Sequence, residues 1–219
     1  MFNQRKVLKF EAIPYRPIEL DPNYADRTWK IIEHGINEIY NHNDNKLSHE
    51  ELYRVAYDMV LNRFGARLYN GLVVTVTRHL EETRKSIESA QGSFLDELNR
   101  KWTDHTEFMQ KIREILLIMD YVSIPFHHKT PIKELGLNLW RDHIIHSAKI
   151  QTRLVDSLLE KIHKERMGEV INHELTRNVM KMLTELGVYQ EVLEIITRSF
   201  NNDIAFQDVL VNSFKSLAL

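Results

Sequence analysis

The sequence predicts an all-α protein, an elongated helical bundle followed by a short helical fragment at the carboxy-terminal end. Three observations carry that expectation. The 219 residues include only 7 glycines and 5 prolines, under half of an average usage of about 12%, whereas sandwiches and barrels need a turn every ~8–12 residues. Proline does not recur after Pro131. Apolar residues return at intervals of three and four along most of the chain, the period of one helix face.

Each element follows in order. Residues 1–20 hold Pro14 and Pro17 without a helical period and read as an extended arm. Asp21-Pro22 is a helix start, an acidic N-cap before a proline whose missing N–H costs nothing there. Trp29, Ile32, Ile36 and Ile39 form one stripe that ends in the polar run 41–45. Ser48-His49-Glu50-Glu51 is a capping box, the Ser48 hydroxyl accepting from the Glu51 N–H while Glu51 reaches back. The helix it opens carries Leu52, Ala56, Met59 and Arg63 on one side and is expected to stop near Phe64-Gly65. Leu68, Leu72, Val73, Val76 and Leu80 mark the next, followed by a charged stretch to Gly92.

Ser93 and Asp96 repeat the start signal. Leu95, Leu98, Trp102, Phe108, Ile112, Ile115, Leu116 and Met119 then continue until Pro125. Thr130-Pro131 opens one long helix whose stripe, Leu137, Trp140, Ile144, Ile150, Leu154, Leu158 and Ile162, runs to Gly168. Leu175, Val179, Leu183 and Leu186 define another that ends at Gly187. From Val188 the pattern is less regular, with a turn-like Asn201-Asn202-Asp203.

Composition removes several function classes. With no cysteine there is no disulfide, no Cys-based zinc finger or RING, and no thiol nucleophile. A net charge of −2 gives no basic field for nucleic acid. The first residues lack the apolar core of a secretory signal, and runs such as 115–119 fall far short of the ~18 residues that cross a bilayer. The expectation is a soluble protein of the cytoplasm or nucleus with no membrane partner.

Enzymatic readings find no constellation. Bundle di-iron sites need two Glu-x-x-His pairs; the chain has one, Glu160 and His163, about what chance provides. His143 and His146 could share a metal, but one on a polar flank and one at the core edge is the commoner arrangement. Gly-rich phosphate loops, G-x-S-x-G and H-E-x-x-H are absent. No cofactor and no catalytic residue is expected.

The helix opened by Ser48 gives a better signal. At about 100° per residue, Leu52, Val55, Ala56 and Met59 cluster on one side. Glu50, Tyr53, Arg54 and Tyr57 fall opposite, joined by Leu61 and Phe64. Two tyrosines beside a carboxylate, one turn apart, suit a docking stripe, because each offers a large apolar ring with a polar tip. Periodicity alone fits a central helix covered on both sides equally well.

These residues carry a resemblance. The segment 47–61, Leu-Ser-His-Glu-Glu-Leu-Tyr-Arg-Val-Ala-Tyr-Asp-Met-Val-Leu, is similar to L-S-F-E-E-L-Y-R-N-A-Y-x-M-V-L of the cullin family, in the amino-terminal region of its cullin-3 branch. Residues 21–26, 29–31, 38–43, 136–142 and 164–170 look most like plant members. The similarity runs collinearly from about Lys9 to Gly187. Val188-Tyr189-Gln190 resembles the start of a second cullin repeat, and 197–207 a helix pair near the end of a third.

The resemblance implies a first cullin repeat over 21–187 and a helical fragment over 188–219. It implies a non-catalytic scaffold of ubiquitin ligases, in which this repeat binds BTB-domain substrate adaptors. Leu47, Glu50, Tyr53 and Tyr57 match adaptor-contacting positions. His49 stands where the family has a Phe that enters an adaptor pocket. In the family's M-D-R-x-Y, this chain has Met119-Asp120-Tyr121-Val122-Ser123, so Asp120, Tyr121 and Ser123 complete the expected contact set with a contacting Tyr replaced by Ser. Weakened adaptor binding, to the micromolar range, is expected unless Tyr121 compensates. The family's RING-binding half has no counterpart in these 219 residues, so no RING subunit is expected, and a chain that held adaptors would compete for them. The other reading is a helical interaction protein or a degenerate duplicate that has lost adaptor binding. Under either reading Val192, Ile195, Ile196, Phe200, Phe206, Val209, Leu210 and Phe214 lack their family partners and are expected to fold back on the first repeat, pair with another chain, or stay loosely ordered; the interaction-protein reading uses them to hold a partner or a second copy.

Overall fold

Helix formation follows the apolar period through nearly the whole of a computed structural model, which describes residues 23–169 and 172–199. Among the described residues all regular structure is helical: α1 (Tyr24–Tyr40), α2 (His49–Leu61), α3 (Gly65–Ser89), α4 (Phe94–Ile115), α5 (Ile124–Phe126), α6 (Ile132–Trp140), α7 (Ala148–Arg166), α8 (His173–Glu185) and α9 (Tyr189–Ser199). A 3₁₀ turn, Asp44–Lys46, leads into α2, and π-helical turns occupy Met119–Ser123 and Arg141–Ile145. The proposed arm 1–20, the Asp21-Pro22 start and residues 200–219 lie outside the described residues.

The helix ends share one device. At five of them a residue turns left-handed so that the following N–H reaches back to a carbonyl five positions earlier, the Schellman arrangement. Gly168 and Gly187 do this at φ of 76° and 73°, and His42, Arg63 and His128 do it without a glycine's freedom, at φ of 58°, 65° and 50°. After α2 the Phe64 N–H donates to the Met59 carbonyl at 2.8 Å and the Arg63 N–H to that of Val60 at 3.0 Å. Arg63 is therefore an exposed turn residue, not a member of the buried stripe.

Packing builds on two long struts. α3 touches α1, α2 and α4 and also reaches α6 and α7, while α4 reaches α1, α2, α6, α7 and α8. At 1.5 Å per residue the 25 residues of α3 span about 37 Å. Near its start Trp29 of α1 packs on Gly71, where a Cβ would come within 2.5 Å of the indole. At its far end Arg153 of α7 donates to the carbonyls of Ile87, Glu88 and Ala90 at 3.0, 3.1 and 3.0 Å, with its guanidinium 4.6 Å from the Phe94 ring. That clamp satisfies carbonyls which the end of a helix leaves open.

Two expectations need correction. The single helix of 130–168 is two, because α6 passes into the π turn at 141–145 and Ser147 is extended (ψ 120°) before α7 starts. The break falls where the stripe jumps six residues from Ile144 to Ile150. The run expected to continue from Ser93 to Pro125 likewise leaves α-geometry after Ile115 and passes through the π turn at 119–123 before α5. The described part of the tail folds back: Val188, Val192 and Ile196 are buried in the same cluster as the residues before Gly187, with α9 packed on α7 and α8. Phe200, Phe206, Val209, Leu210, Phe214 and the 201–203 turn lie outside the described residues.

Candidate protein-docking face

The entry to α2 is fixed from two sides. Ser48 is extended and its hydroxyl accepts from the Glu51 N–H at 3.3 Å, the forward half of the capping box. The preceding 3₁₀ turn is tied to α4 by Lys111, whose ammonium lies 2.7 Å from Asp44 and 2.7 Å from Glu107. The hydrogen bond from Lys111 holds the Asp44 carboxyl below the usual carboxylate range. Inward, Leu52, Ala56, Met59 and Val60 are buried. α2 thus has a fixed starting point and a fixed inner face, which sets where its outer side chains stand.

The outer face is open. Tyr57 is 38% and Leu61 48% exposed, Tyr53 is half-buried, and the two tyrosine rings lie 6.2 Å apart at 37°. Glu50 and Arg54 approach to 3.9 Å while both stay largely in solvent, a pairing worth little to stability and readily exchanged for a partner's groups. Leu47 and His49, at the start of the helix, are half-buried, Leu47 against the core.

The second group of expected contacts is divided. The π turn at 119–123 packs against α2 and α3. Tyr121 stands 72% exposed. Asp120 faces inward instead, accepting from Arg113 Nε at 2.9 Å and from the Ile132 backbone N–H at 3.0 Å, so that it holds the first turn of α6. Ser123 is buried, and its hydroxyl occupies the space where a Cβ on Gly65 would sit. Of the eight expected contact residues, Glu50, Tyr53, Tyr57 and Tyr121 face outward on adjoining elements, Leu47 and His49 lie at their edge, and Asp120 and Ser123 serve the interior.

Two outward residues escaped the sequence reading. Val122 is 48% and Phe126 79% exposed, with Phe126 set edge-on to His127, ring centroids 5.0 Å apart. Their only trace in the sequence is apolar character out of phase with the buried stripe through Ile115 and Met119.

Other chemistry gathers less. Among the described residues no three His, Asp or Glu side chains converge as a metal ion requires. His146 lies 3.8 Å from Asp142 and 3.5 Å from Glu191, and Glu160 is paired with Lys164 at 2.6 Å. A polar recess of about 210 Å³ between α1, α3 and α4 is lined by Tyr40, His79, Asp104 and His105 among others. Burial raises the Tyr40 phenol and pushes His105 down to about 4. No described helix is long and apolar enough to cross a membrane.

Comparison with known proteins places these helices in a lineage. The family profile described as "Cullin alpha solenoid domain" matches residues 29–205. The chain is 56% identical over 198 residues to Cullin-3B of Arabidopsis thaliana and 51% identical over 198 to Cullin-3A of the same plant, covering 89% of this chain and 27% of each relative. It is 39% identical over 182 residues to Cullin-3 of Dictyostelium discoideum, covering 83% of this chain and 24% of that protein. The chain thus spans about a quarter of the length of these curated relatives.

Proposed function

The chain belongs to the cullin family, and from that membership we propose that it is a scaffold segment whose α2 face receives a BTB-domain substrate adaptor of a ubiquitin ligase. The observation that supports this most is the pair Tyr53 and Tyr57, turned outward from a helix whose opposite face is sealed into the core. Rigid aromatic side chains lose little conformational freedom on binding and so make efficient anchors. The tail reading draws less support, since Val192 and Ile196 are covered by the chain's own helices.

Affinity is reduced by two changes. His49 replaces the Phe that the resemblance places in an adaptor pocket, and Ser123 replaces a contacting Tyr with a buried hydroxyl. Each lost aromatic costs about 2 kcal/mol, together close to a thousandfold if additive. As the 219-residue polypeptide, the chain holds an adaptor without the other three quarters of its relatives' length, and it competes with a longer cullin for that adaptor.

Titration of the purified chain with a panel of BTB-domain proteins tests the reading. Micromolar binding to at least one is expected, falling tenfold or more in a Tyr53→Ala, Tyr57→Ala variant of unchanged helicity. Equal binding by both versions removes the α2 face from the interaction, and nanomolar binding to every adaptor refutes the weakening. Added chain should slow turnover of that adaptor's substrate in an extract; faster turnover contradicts competition.

A further inference from the structure

We propose that the polar recess between α1, α3 and α4 binds a small organic cation, a guanidinium-bearing group whose N–H donors meet acceptors on both sides of the recess. The site is separate from the α2 face and independent of the adaptor-binding reading. The end of α1 supplies Tyr40, α3 supplies His79 and Glu82, and α4 supplies Asp104 and His105.

Both imidazoles present lone pairs. His79 Nε2 lies 2.8 Å from Asn37 Oδ1, an atom identified as the oxygen because Arg78 also donates to it at 2.9 Å. Nε2 is therefore the donor, which leaves Nδ1 as an acceptor 3.8 Å from a Glu82 carboxylate oxygen. Burial holds the His79 imidazole below its ordinary pKa, with Arg78 adding to the effect and Glu82 opposing it. The neutral ring and the carboxylate are thus two acceptors side by side, an arrangement that a shared donor relieves. His105 repeats the pattern: Nε2 gives its proton to the Gly136 carbonyl at 3.1 Å, and Nδ1 has no partner in a side chain only 3% exposed. The buried Tyr40 hydroxyl, also without a partner, is a further acceptor.

The surrounding charge has the sign a cation needs. Glu82 and Asp104 are carboxylates, the latter shared with Arg100 at 3.2 Å. α1 ends at the recess with no basic residue in its last turn, and the carbonyls of a helix C-terminus favour positive charge. Tyr40, stacked on His79 at 4.1 Å, and Phe108, 5.0 Å from Tyr40, add aromatic rings, whose faces attract cations. Against these stands one lining ammonium, that of Lys101. The acidic and imidazole groups do not converge as a metal ion requires, so the group that bridges them is larger and carries donors on several sides. A guanidinium has five N–H donors in a flat fork. The recess, about 210 Å³, lies below the roughly 300–1,000 Å³ of pockets for drug-sized ligands, which limits the occupant to a small molecule or the end of one arginine side chain.

The test is an NMR titration of the full 219-residue chain with agmatine, N-acetyl-arginine methylamide, glycerol and acetate, following the His79 and His105 imidazole signals. Agmatine should shift both signals saturably with a millimolar or tighter dissociation constant. Glu82→Gln should weaken binding threefold or more, and Lys101→Met should tighten it at least twofold. The melting temperature of Glu82→Gln should match the parent's, because that side chain is 67% exposed. Binding of agmatine alone assigns the site to a free molecule, and equal binding of the arginine derivative assigns it to a partner's side chain; either upholds the cation site. No saturable shift by about 10 mM, ten times a millimolar dissociation constant, overturns it. So does unchanged affinity in Glu82→Gln, or glycerol bound as well as agmatine. Acetate bound in preference, and lost in Lys101→Met, makes the recess an anion site and equally overturns the proposal.

Discussion

His105 is enclosed between aromatic rings, its centroid 5.0 Å from that of Trp140 and 6.2 Å from that of Trp102. Nε2 lies 3.1 Å from the Gly136 carbonyl and must carry the proton, while Nδ1 meets no partner among the described residues. Burial pushes its pKa down to about 4, against about 6.5 for a free imidazole. The unfolded chain therefore binds a proton between pH 6.5 and 4 that the folded chain refuses, so stability is full above the unfolded value and falls as pH drops through this window. The loss attributable to this residue is about 3 kcal/mol on complete passage. Denaturant unfolding at pH 7 and pH 4 should show it, and a His105→Gln variant should be less stable at pH 7 yet lose less on acidification. An identical pH dependence in both would clear His105 of the role. The candidate docking residues show what sequence can reach at this scale. Tyr53 and Tyr57 were legible because α2 keeps a regular period from a marked start. Ser123 and Phe126 were not, because nothing in the residues announces a π turn, and after one the count of faces no longer holds.

At the scale of elements the sequence was read best where a cap and a period coincide. Ser48 gave α2 its start, and Asn172, unremarked before, does the same for α8 by accepting from the Leu175 N–H at 3.1 Å. Ends were read less well, since three left-handed turns use His42, Arg63 and His128 where glycine is the usual sign. A non-glycine residue there carries a steric cost of about 1–2 kcal/mol, partly offset in a glycine variant by the greater freedom of the unfolded chain. Arg63→Gly should therefore raise stability by about 0.5–1 kcal/mol, and Arg63→Val should lower it, because branching at Cβ worsens the clash. Thermal unfolding of the two variants decides. A glycine variant no more stable than the parent would mean that the Arg63 side chain supplies something beyond the turn. The break at Ser147 was signalled by the six-residue gap between Ile144 and Ile150, a spacing that no single helix face provides.

For the whole molecule, the described part of the tail is a structural member. Val188, Val192 and Ile196 are each at most 3% exposed, and burying an aliphatic side chain is worth about 1.5–3 kcal/mol. A chain cut after Gly187 should melt about 10 °C or more below the full one. An unchanged melting temperature would show α9 to be dispensable and its packing on α7 and α8 incidental. The boundary drawn after Gly187 followed the resemblance, which changes there. The packing does not stop at that point, because apolar residues on either side of it share one core.

α3 begins where the π turn at 119–123 meets the end of α2 and finishes in the grip of Arg153. A rod of about 37 Å passes a displacement at one extremity on to the other. A tilt of about 5° at its first turn would carry its distant tip by about 3 Å. A small change where α2 meets it would thereby be magnified into a larger one at the opposite pole.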